Sequence, residues 1–389
     1  MRIGIITLWQ SSDNYGQQLQ CWALQQQLLK MGHEPYLIRY DIDHRSCQNQ
    51  TSIWRKLLKV VLVYPFVKSI KSKIRRIKEK GQNDYVLLKN KERRFDSFRM
   101  TELMTSERLY TNLEELRDNP PKADAYIVGS DQVWAHILSN AENEAMFLGF
   151  GDKTTKRIAY APSFSMPDYP QQLKDALKRN LTRFDALSVR EQTGVAICRG
   201  LGFDAKVVLD PTMLLVKDDY AIIKETVNDE RYIYLYFLNI SKQCEVEWGL
   251  LKECAQSKGL EIVATPASGY FIGKELFEDV EYKYATIPQW IGLIDGAQLV
   301  VTTSFHGVVF CVLHHTPFVY FPLKGKYSRG NNRVVDLCDM LHLSERIWND
   351  KASFETLINS DIDWKNVDGI LNERRNASID YLKEALSLN

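Results

Sequence analysis

The sequence predicts an α/β protein built of two doubly wound domains whose parallel sheets face a central cleft. Three observations predict it. Apolar runs of strand length alternate with helical stretches in both halves of the chain. At 389 residues the chain exceeds one ordinary core and fits two. Polar groups fall directly after the apolar runs, and the carboxyl ends of parallel strands share one edge, where ligands bind.

Residues 2–9 (RIGIITLW) read as the first strand. Ser11 to Gly16 form a polar turn, and residues 17–31 a helix with Leu19, Trp22, Ala23 and Leu29 on one stripe and Gly32 just past its end. Residues 35–40 make the next strand. Between 45 and 120 the alternation breaks. Residues 51–80 carry ten Lys/Arg and one acid, interleaved with Ile53, Trp54, Leu57, Leu58, Phe66, Ile70, Ile74 and Ile77. This pattern predicts one or two basic amphipathic helices. Strands resume at 125–128, 157–161, 186–189 and 206–209. Residues 211–229 read as the crossing between domains. The second series runs strand 231–238, helix 243–258, strand 260–264, helix 287–295, strand 298–303, helix 307–315 and strand 318–321. Helices are predicted at 331–341, 351–360 and 372–388. The division is an N-terminal Rossmann-like domain over 1–215 with the basic insert at about 45–120, a C-terminal Rossmann-like domain over 216–365, and a final helix over 366–389 that could cross back to the first domain.

Composition is that of a soluble globular protein, 45% hydrophobic and 25% charged. A net charge of +1 argues against a global pull toward nucleic acid. Seven cysteines without CxxC spacing, and no signal peptide before the first strand, fit a reducing cytoplasm and speak against structural zinc. The longest apolar run, Leu57 to Val67, is interrupted by Lys59 and Pro65 and is too short to span a bilayer.

The most informative segment is Val300 to Phe310, a buried strand running into a helix with Ser304-Phe305-His306-Gly307 at the junction. Backbone N–H groups opening a helix favour anions. An unperturbed imidazole can both give and take a proton near neutral pH, which makes His306 the candidate acid/base; the alternative is a histidine that only hydrogen-bonds the turn. Gly307 would let a ligand approach the backbone. Asp13, Asn14, Asp131, Arg190 and Asp210 each follow a predicted strand in the first half, as site groups or as ordinary caps. Arg190 could grip phosphate or carboxylate, or pair with Glu191. Arg329 and Arg333, with Asn332 between them, offer a second anion clamp or a solvated loop. His314 and His315 read as packing or capping residues. The 51–80 segment is either a solvated helical insert or a contact with an anionic membrane surface.

These motifs resemble the polysaccharide pyruvyl transferase family over most of the chain. The resemblance is carried by Asp13-Asn14-Tyr15-Gly16 with Leu19 to Leu24; Tyr126 to Trp134; Ile158 to Phe164; Leu187 to Glu191; Val208 to Thr212; and Ser304 to Gly307. It implies a fold like that of the two-domain GT-B glycosyltransferases. It also implies transfer of a pyruvyl group from phosphoenolpyruvate, as co-substrate and without a further cofactor or metal, onto a sugar as a ketal. His306 would match the catalytic histidine; the chemistry also calls for a carboxylate that orients or deprotonates a hydroxyl, with Asp131 or Asp13 as the candidates. Arg190, Ser304, Phe305, Gly307, Arg329, Asn332 and Arg333 would hold the donor. Asp13, Asn14, Tyr15, Gly16, Ser130 and Trp134 would face the acceptor. Many members carry an arginine two residues before the histidine, where this chain has Ser304, so Arg329 and Arg333 are the candidates to replace it. The expected partners are phosphoenolpyruvate and a sugar or lipid-linked oligosaccharide of a surface or capsular polysaccharide, with possible inner-membrane contact through 51–80 and no nucleic acid. The alternatives are a GT-B glycosyltransferase using a nucleotide sugar and a non-catalytic carbohydrate- or anion-binding protein.

Overall fold

The computed structural model describes residues 1–41, 88–135, 141–166, 168–226, 231–240, 242–267, 276–349 and 354–387. The basic stretch 51–80 therefore lies outside the described residues. Two all-parallel sheets form two Rossmann-like domains. The first has the order β3-β2-β1-β4-β5-β6-β7, built from β1 (Arg2–Ile6), β2 (Glu34–Tyr40), β3 (Thr105–Tyr110), β4 (Ala125–Val128), β5 (Lys156–Ala159), β6 (Ala186–Val189) and β7 (Lys206–Val207). The second has the order β10-β9-β8-β11-β12, from β8 (Tyr232–Phe237), β9 (Glu261–Pro266), β10 (Glu281–Tyr282), β11 (Leu299–Thr302) and β12 (Phe318–Tyr320). Strand order reverses at β1/β4 and at β8/β11, so loops after these strands open crevices where ligands bind in such sheets.

The central strands are apolar on both faces because helices cover both faces: β4 (AYIV) and β11 (LVVT) are buried at every residue. The helices are α1 (Tyr15–Lys30), α2 (Phe95–Glu102), α3 (Leu113–Asp118), α4 (Lys174–Leu181), α5 (Gln192–Gly200), α6 (Lys217–Tyr220), α7 (Trp248–Lys258), α8 (Ile287–Asp295), α9 (Phe305–His314), α10 (Asn332–Met340), α11 (Phe354–Asn359) and α12 (Trp364–Ser387).

Several expectations are corrected. Residues 105–110 were read as part of the insert, yet they form the edge strand β3; its sequence TSERLY is mostly exposed and lacks the apolar signature of a strand. The helix expected at 243–258 begins only at Trp248, after Glu247 adopts a left-handed backbone at φ 49°. The helix expected from 307 begins at Phe305, which puts His306 inside the first turn. The strand expected over 206–209 ends at Val207.

One apolar cluster joins both domains. Tyr15 of α1 stacks on Trp290 of α8 at 5.2 Å and its hydroxyl donates to Ala285 O at 2.6 Å. Arg93 Nη1 donates to the same hydroxyl at 2.6 Å, and Nη2 donates to Pro266 O in the second domain. Helix α12 follows the second domain but packs on the first. Ser378 Oγ accepts from Leu209 N at 3.0 Å, Tyr381 OH donates to Ala159 O at 2.9 Å, and Arg375 Nε donates to Met213 O at 2.8 Å. At the crossing, Asp295 gathers Lys217, Lys224 and the buried His314. His315 is the left-handed cap of α9, and its Nε2 lies 2.9 Å from Asp368 Oδ1. Both histidines thus serve packing and capping.

Candidate functional site

The site is built where the carboxyl edges of the two sheets meet. From the second domain comes the first turn of α9. Ser304 is its N-cap, and its hydroxyl accepts from Gly307 N at 3.3 Å. Thr302 Oγ1 in turn accepts from Ser304 N at 3.0 Å and donates to Tyr236 O at 2.6 Å, which locks the turn onto the sheet. A Cβ on Gly307 would lie 2.5 Å from Thr302 Oγ1, so this glycine is required by packing against the strand rather than by approach of a ligand.

His306 is buried, 6% exposed, and reaches into the first domain. A Cβ on Gly16, in the first turn of α1, would lie 2.1 Å from His306 Cγ, so the ring sits directly on the α1 backbone. On its other side, His306 Nε2 stands 3.6 Å from Asp210 Oδ2, within ion-pair range but long for a hydrogen bond.

Asp210 is fully buried. Its Oδ1 accepts from Thr212 N at 3.1 Å and Thr212 Oγ1 at 2.7 Å; its Oδ2 accepts from Ser130 Oγ and Arg190 Nη1, both at 2.9 Å. Burial alone would raise this carboxyl. The imidazole of His306, the Arg190 guanidinium and the Thr212 hydroxyl outweigh it and hold Asp210 well below the usual carboxylate range. For Arg190, burial opposes the charge, but Asp210, then Asp131 and Glu191, outweigh it and keep the guanidinium firmly protonated.

Arg190 follows β6 and is 7% exposed. Its Nη2 is 3.9 Å from Asp131 Oδ1 and its Nε 4.0 Å from Glu191 Oε2, while neither nitrogen makes a hydrogen bond among the described residues. Glu191 Oε1 is occupied elsewhere, accepting from Ser163 Oγ and Phe164 N at 2.9 Å, while Oε2, toward Arg190, makes no hydrogen bond among the described residues. The Arg190 guanidinium lies 4.8 Å from the centre of the Phe305 ring, and that of Arg333, from α10, lies 5.8 Å from it. Burial, and then the charge of Arg190, pull Arg333 down to about 10. Two guanidinium groups thus flank one aromatic ring at the start of α9, Arg190 with two nitrogens free of hydrogen bonds among the described residues and with the carboxylates of Asp210, Asp131 and Glu191 around it.

The structure brings together His306, Arg190, Phe305, Ser304, Ser130, Asp131, Gly16 and Arg333. It moves other candidates away. Trp134 is fully buried in the first domain, stacked on Phe147 at 5.1 Å with Nε1 donating to Met146 O, so it has no face for an acceptor. Tyr15 and Gly16 are likewise fully or largely enclosed, as domain-interface packing and as a seat for His306. Ser130 is buried against Asp210. Asp13 and Asn14 remain partly exposed; Asn14 caps α1 by accepting from Gln17 N at 3.2 Å. Asp131, at φ 76°, stands beside Arg190, and the carboxylate against His306 is Asp210. Arg329 lies exposed on the turn Gly325–Asn331, and Asn332 opens α10. Asn331 fixes that loop, its Oδ1 accepting from Tyr320 OH at 2.9 Å and Leu323 N at 3.0 Å. Asp210 was read from the sequence only as one of the polar groups after strands, without a partner, and the loop role of Asn331 was not read. For Asp210 the available signal was its place after β7 together with Ser130 and Arg190 after neighbouring strands.

Among the described residues no group of three His, Cys, Asp or Glu could hold a metal ion, and no helix is long and apolar enough to cross a membrane.

A family model described as polysaccharide pyruvyl transferase matches residues 14–325. No curated protein sequence matches the chain. Among solved structures, Arabidopsis thaliana UGT89C1 complexed with UDP-L-rhamnose is similar over 100% of this chain and 99% of that one, at 11% identity and a TM-score of 0.48. Neisseria meningitidis UDP-GlcNAc 2-epimerase bound to UDP-GlcNAc is similar over 100% of both chains, at 9% identity and a TM-score of 0.46.

Proposed function

Because the chain belongs to the polysaccharide pyruvyl transferase family, we propose that it moves a pyruvyl group from phosphoenolpyruvate onto two hydroxyls of a hexose in a surface-polysaccharide precursor, as a ketal, with release of phosphate. The observation that carries the donor assignment is the Arg190–Phe305–Arg333 cluster beside His306. Phosphoenolpyruvate has a carboxylate and a phosphate close together, and a pair of guanidinium groups at a helix N-terminus suits both.

The reaction begins with a proton from His306 to the methylene carbon of the enol. The double-bond pair forms the new C–H bond and leaves an oxocarbenium-like centre. A sugar hydroxyl adds there and returns its proton to His306. The second hydroxyl then displaces phosphate, and its proton leaves with the phosphate. The positive charge of Arg190 and Arg333 offsets the carboxylate and phosphate throughout. This chemistry calls for no cofactor beyond the co-substrate. A lipid-linked acceptor on the cytoplasmic leaflet would bring the enzyme to that surface, with residues 51–80 as the basic contact.

The test is phosphate release from phosphoenolpyruvate with a candidate oligosaccharide, run beside a panel of sugar nucleotides. His306→Ala should lower turnover by about 10²–10⁴-fold. Full activity of His306→Ala would remove its assigned role. Turnover of a sugar nucleotide and none of phosphoenolpyruvate would replace the donor.

A further inference from the structure

We infer that Asp210 is the positioning residue of the reaction, holding the proton on Nε2 of His306 so that Nδ1 is the nitrogen that gives its proton to substrate. The inference deepens the reading of His306 as proton donor and rests on it.

Every bond of Asp210 is internal. Its Oδ1 is committed to Thr212 and its Oδ2 to Ser130 and Arg190, and the carboxylate is fully buried. It cannot touch substrate and must act through its neighbours. The nitrogen that faces it is Nε2, 3.6 Å from Oδ2. Nε2 is also the buried ring nitrogen, and it makes no hydrogen bond among the described residues. Nδ1 lies on the Gly16 side, where the missing side chain leaves room for the ring itself, since a Cβ there would meet Nδ1 at 2.1 Å; unlike Nε2, Nδ1 is not a fully enclosed atom. A carboxylate kept ionised next to Nε2 favours a proton there, and contacts of this kind tighten when substrate binds.

The charged groups around the ring fit this division. From the first domain they are Asp210 after β7, Arg190 behind it, and Asp131 beside Arg190. From α9 the neighbour is Phe305, with Arg333 of α10 beyond it, and from α1 it is the Gly16 backbone. Among the described residues Asp210 is the one carboxylate paired with the imidazole.

The proton steps balance. The imidazolium carries protons on both nitrogens. Nδ1–H passes its proton to the methylene carbon, and the neutral ring keeps Nε2–H against Asp210. The free Nδ1 lone pair then takes the proton of the first attacking hydroxyl, restoring the imidazolium. Because Asp210 belongs to the first domain and His306 to the second, the acid is fully assembled only with the domains apposed.

The test is ¹⁵N NMR of the imidazole rings in the whole protein without substrate, with the His306 signals identified by their loss in His306→Gln. The neutral ring of the parent protein should be the Nε2–H tautomer, and Asp210→Asn should convert it to a mixture. In turnover of phosphoenolpyruvate, Asp210→Asn should lower kcat by about 10–100-fold. It should also move the alkaline limb of the kcat profile to lower pH by about one unit, because a negative charge favouring the protonated acid is gone. A parent ring in the Nδ1–H form overturns the inference whether or not Asp210→Asn folds. An Asp210→Asn protein with an unchanged tautomer and pH limb overturns it too, leaving Asp210 a cap for Thr212. The NMR result is independent of the donor: a parent protein inert toward phosphoenolpyruvate but showing Nε2–H keeps the pair and discards the reaction.

Discussion

Gly16 and His306 meet across the domain boundary with no room for a methyl group. A Cβ on Gly16 would lie 2.1 Å from both Cγ and Nδ1 of the ring. Gly16→Ala should therefore displace the imidazole, lower stability by about 1–3 kcal/mol and abolish most activity. Removing the ring relieves the overlap: the Gly16→Ala, His306→Ala double variant should be more stable than the sum of the single costs by about 1 kcal/mol or more, though inactive. Urea unfolding of the four proteins measures this, and additive costs would show that the two residues do not meet. At this scale His306 and Arg190 were legible as candidates because each lies just past an apolar run, and parallel strands gather such positions at one edge; Arg333 stood out only as part of a cationic glycine–asparagine-rich stretch. Asp210 was visible as a polar residue after a strand, but Pro211-Thr212 read as the start of a crossing. Trp134 and Tyr15 were misread because a motif's spacing does not say which of its side chains turn inward. Both fill the core, and the charged or small residues beside them form the site.

Helix α12 is tied to the first domain by side chains, not by strand pairing. Tyr381 OH donates to Ala159 O from a buried position, so Tyr381→Phe should remove that bond, leaving the carbonyl to Ser188 Oγ at 2.7 Å, and cost about 1 kcal/mol in a thermal or urea transition, with little change in KM. The other element-scale expectation concerns the basic stretch 51–80, with ten Lys/Arg against one acid. Its neighbours on the chain are near the cleft: Asn90 Nδ2 donates to Ser12 Oγ at 3.4 Å and Arg99 Nη1 to Ser11 O at 2.6 Å. Flotation with vesicles containing anionic phospholipid should recover the protein at low salt and lose it at high salt. Absence from the vesicle fraction at low salt would remove the membrane contact. Elements with strong apolar patterning were readable from sequence. Strand β3 was not, because an exposed edge strand has no buried face to mark it, and β7 is cut to two residues for the same reason.

The whole molecule should be stable only within a band of pH, for two opposite reasons. Asp210 and Asp295 titrate below their ordinary range when folded; for Asp295 the cause is hydrogen bonding from His314, then from Lys217 and Lys224, against burial. A depressed carboxyl stabilises the fold above its unfolded value of about 4, and that stability is lost as pH falls below it. At the alkaline end many tyrosines are held protonated by burial: Tyr126 is raised to about 12, and Tyr160, Tyr220, Tyr234 and Tyr236 are raised well above their ordinary value. Raised groups stabilise the fold below about 10 and withdraw that stability as pH rises through their folded values. Phenolate absorbance near 295 nm should therefore rise together with unfolding above pH 10, and full ionisation in a folded protein would contradict this.

The helix that crosses back has a consequence in time. The first domain's apolar surface around Ala159, Tyr160 and Leu209 is covered by a segment that begins at Trp364, beyond the whole second domain in the chain. At about 5–20 residues per second, a ribosome needs on the order of ten seconds or more to make the intervening domain. For that interval the nascent first domain carries an uncovered hydrophobic seam, open to chaperones and proteases alike. Synthesis of α12, not of either domain, is the event that closes it.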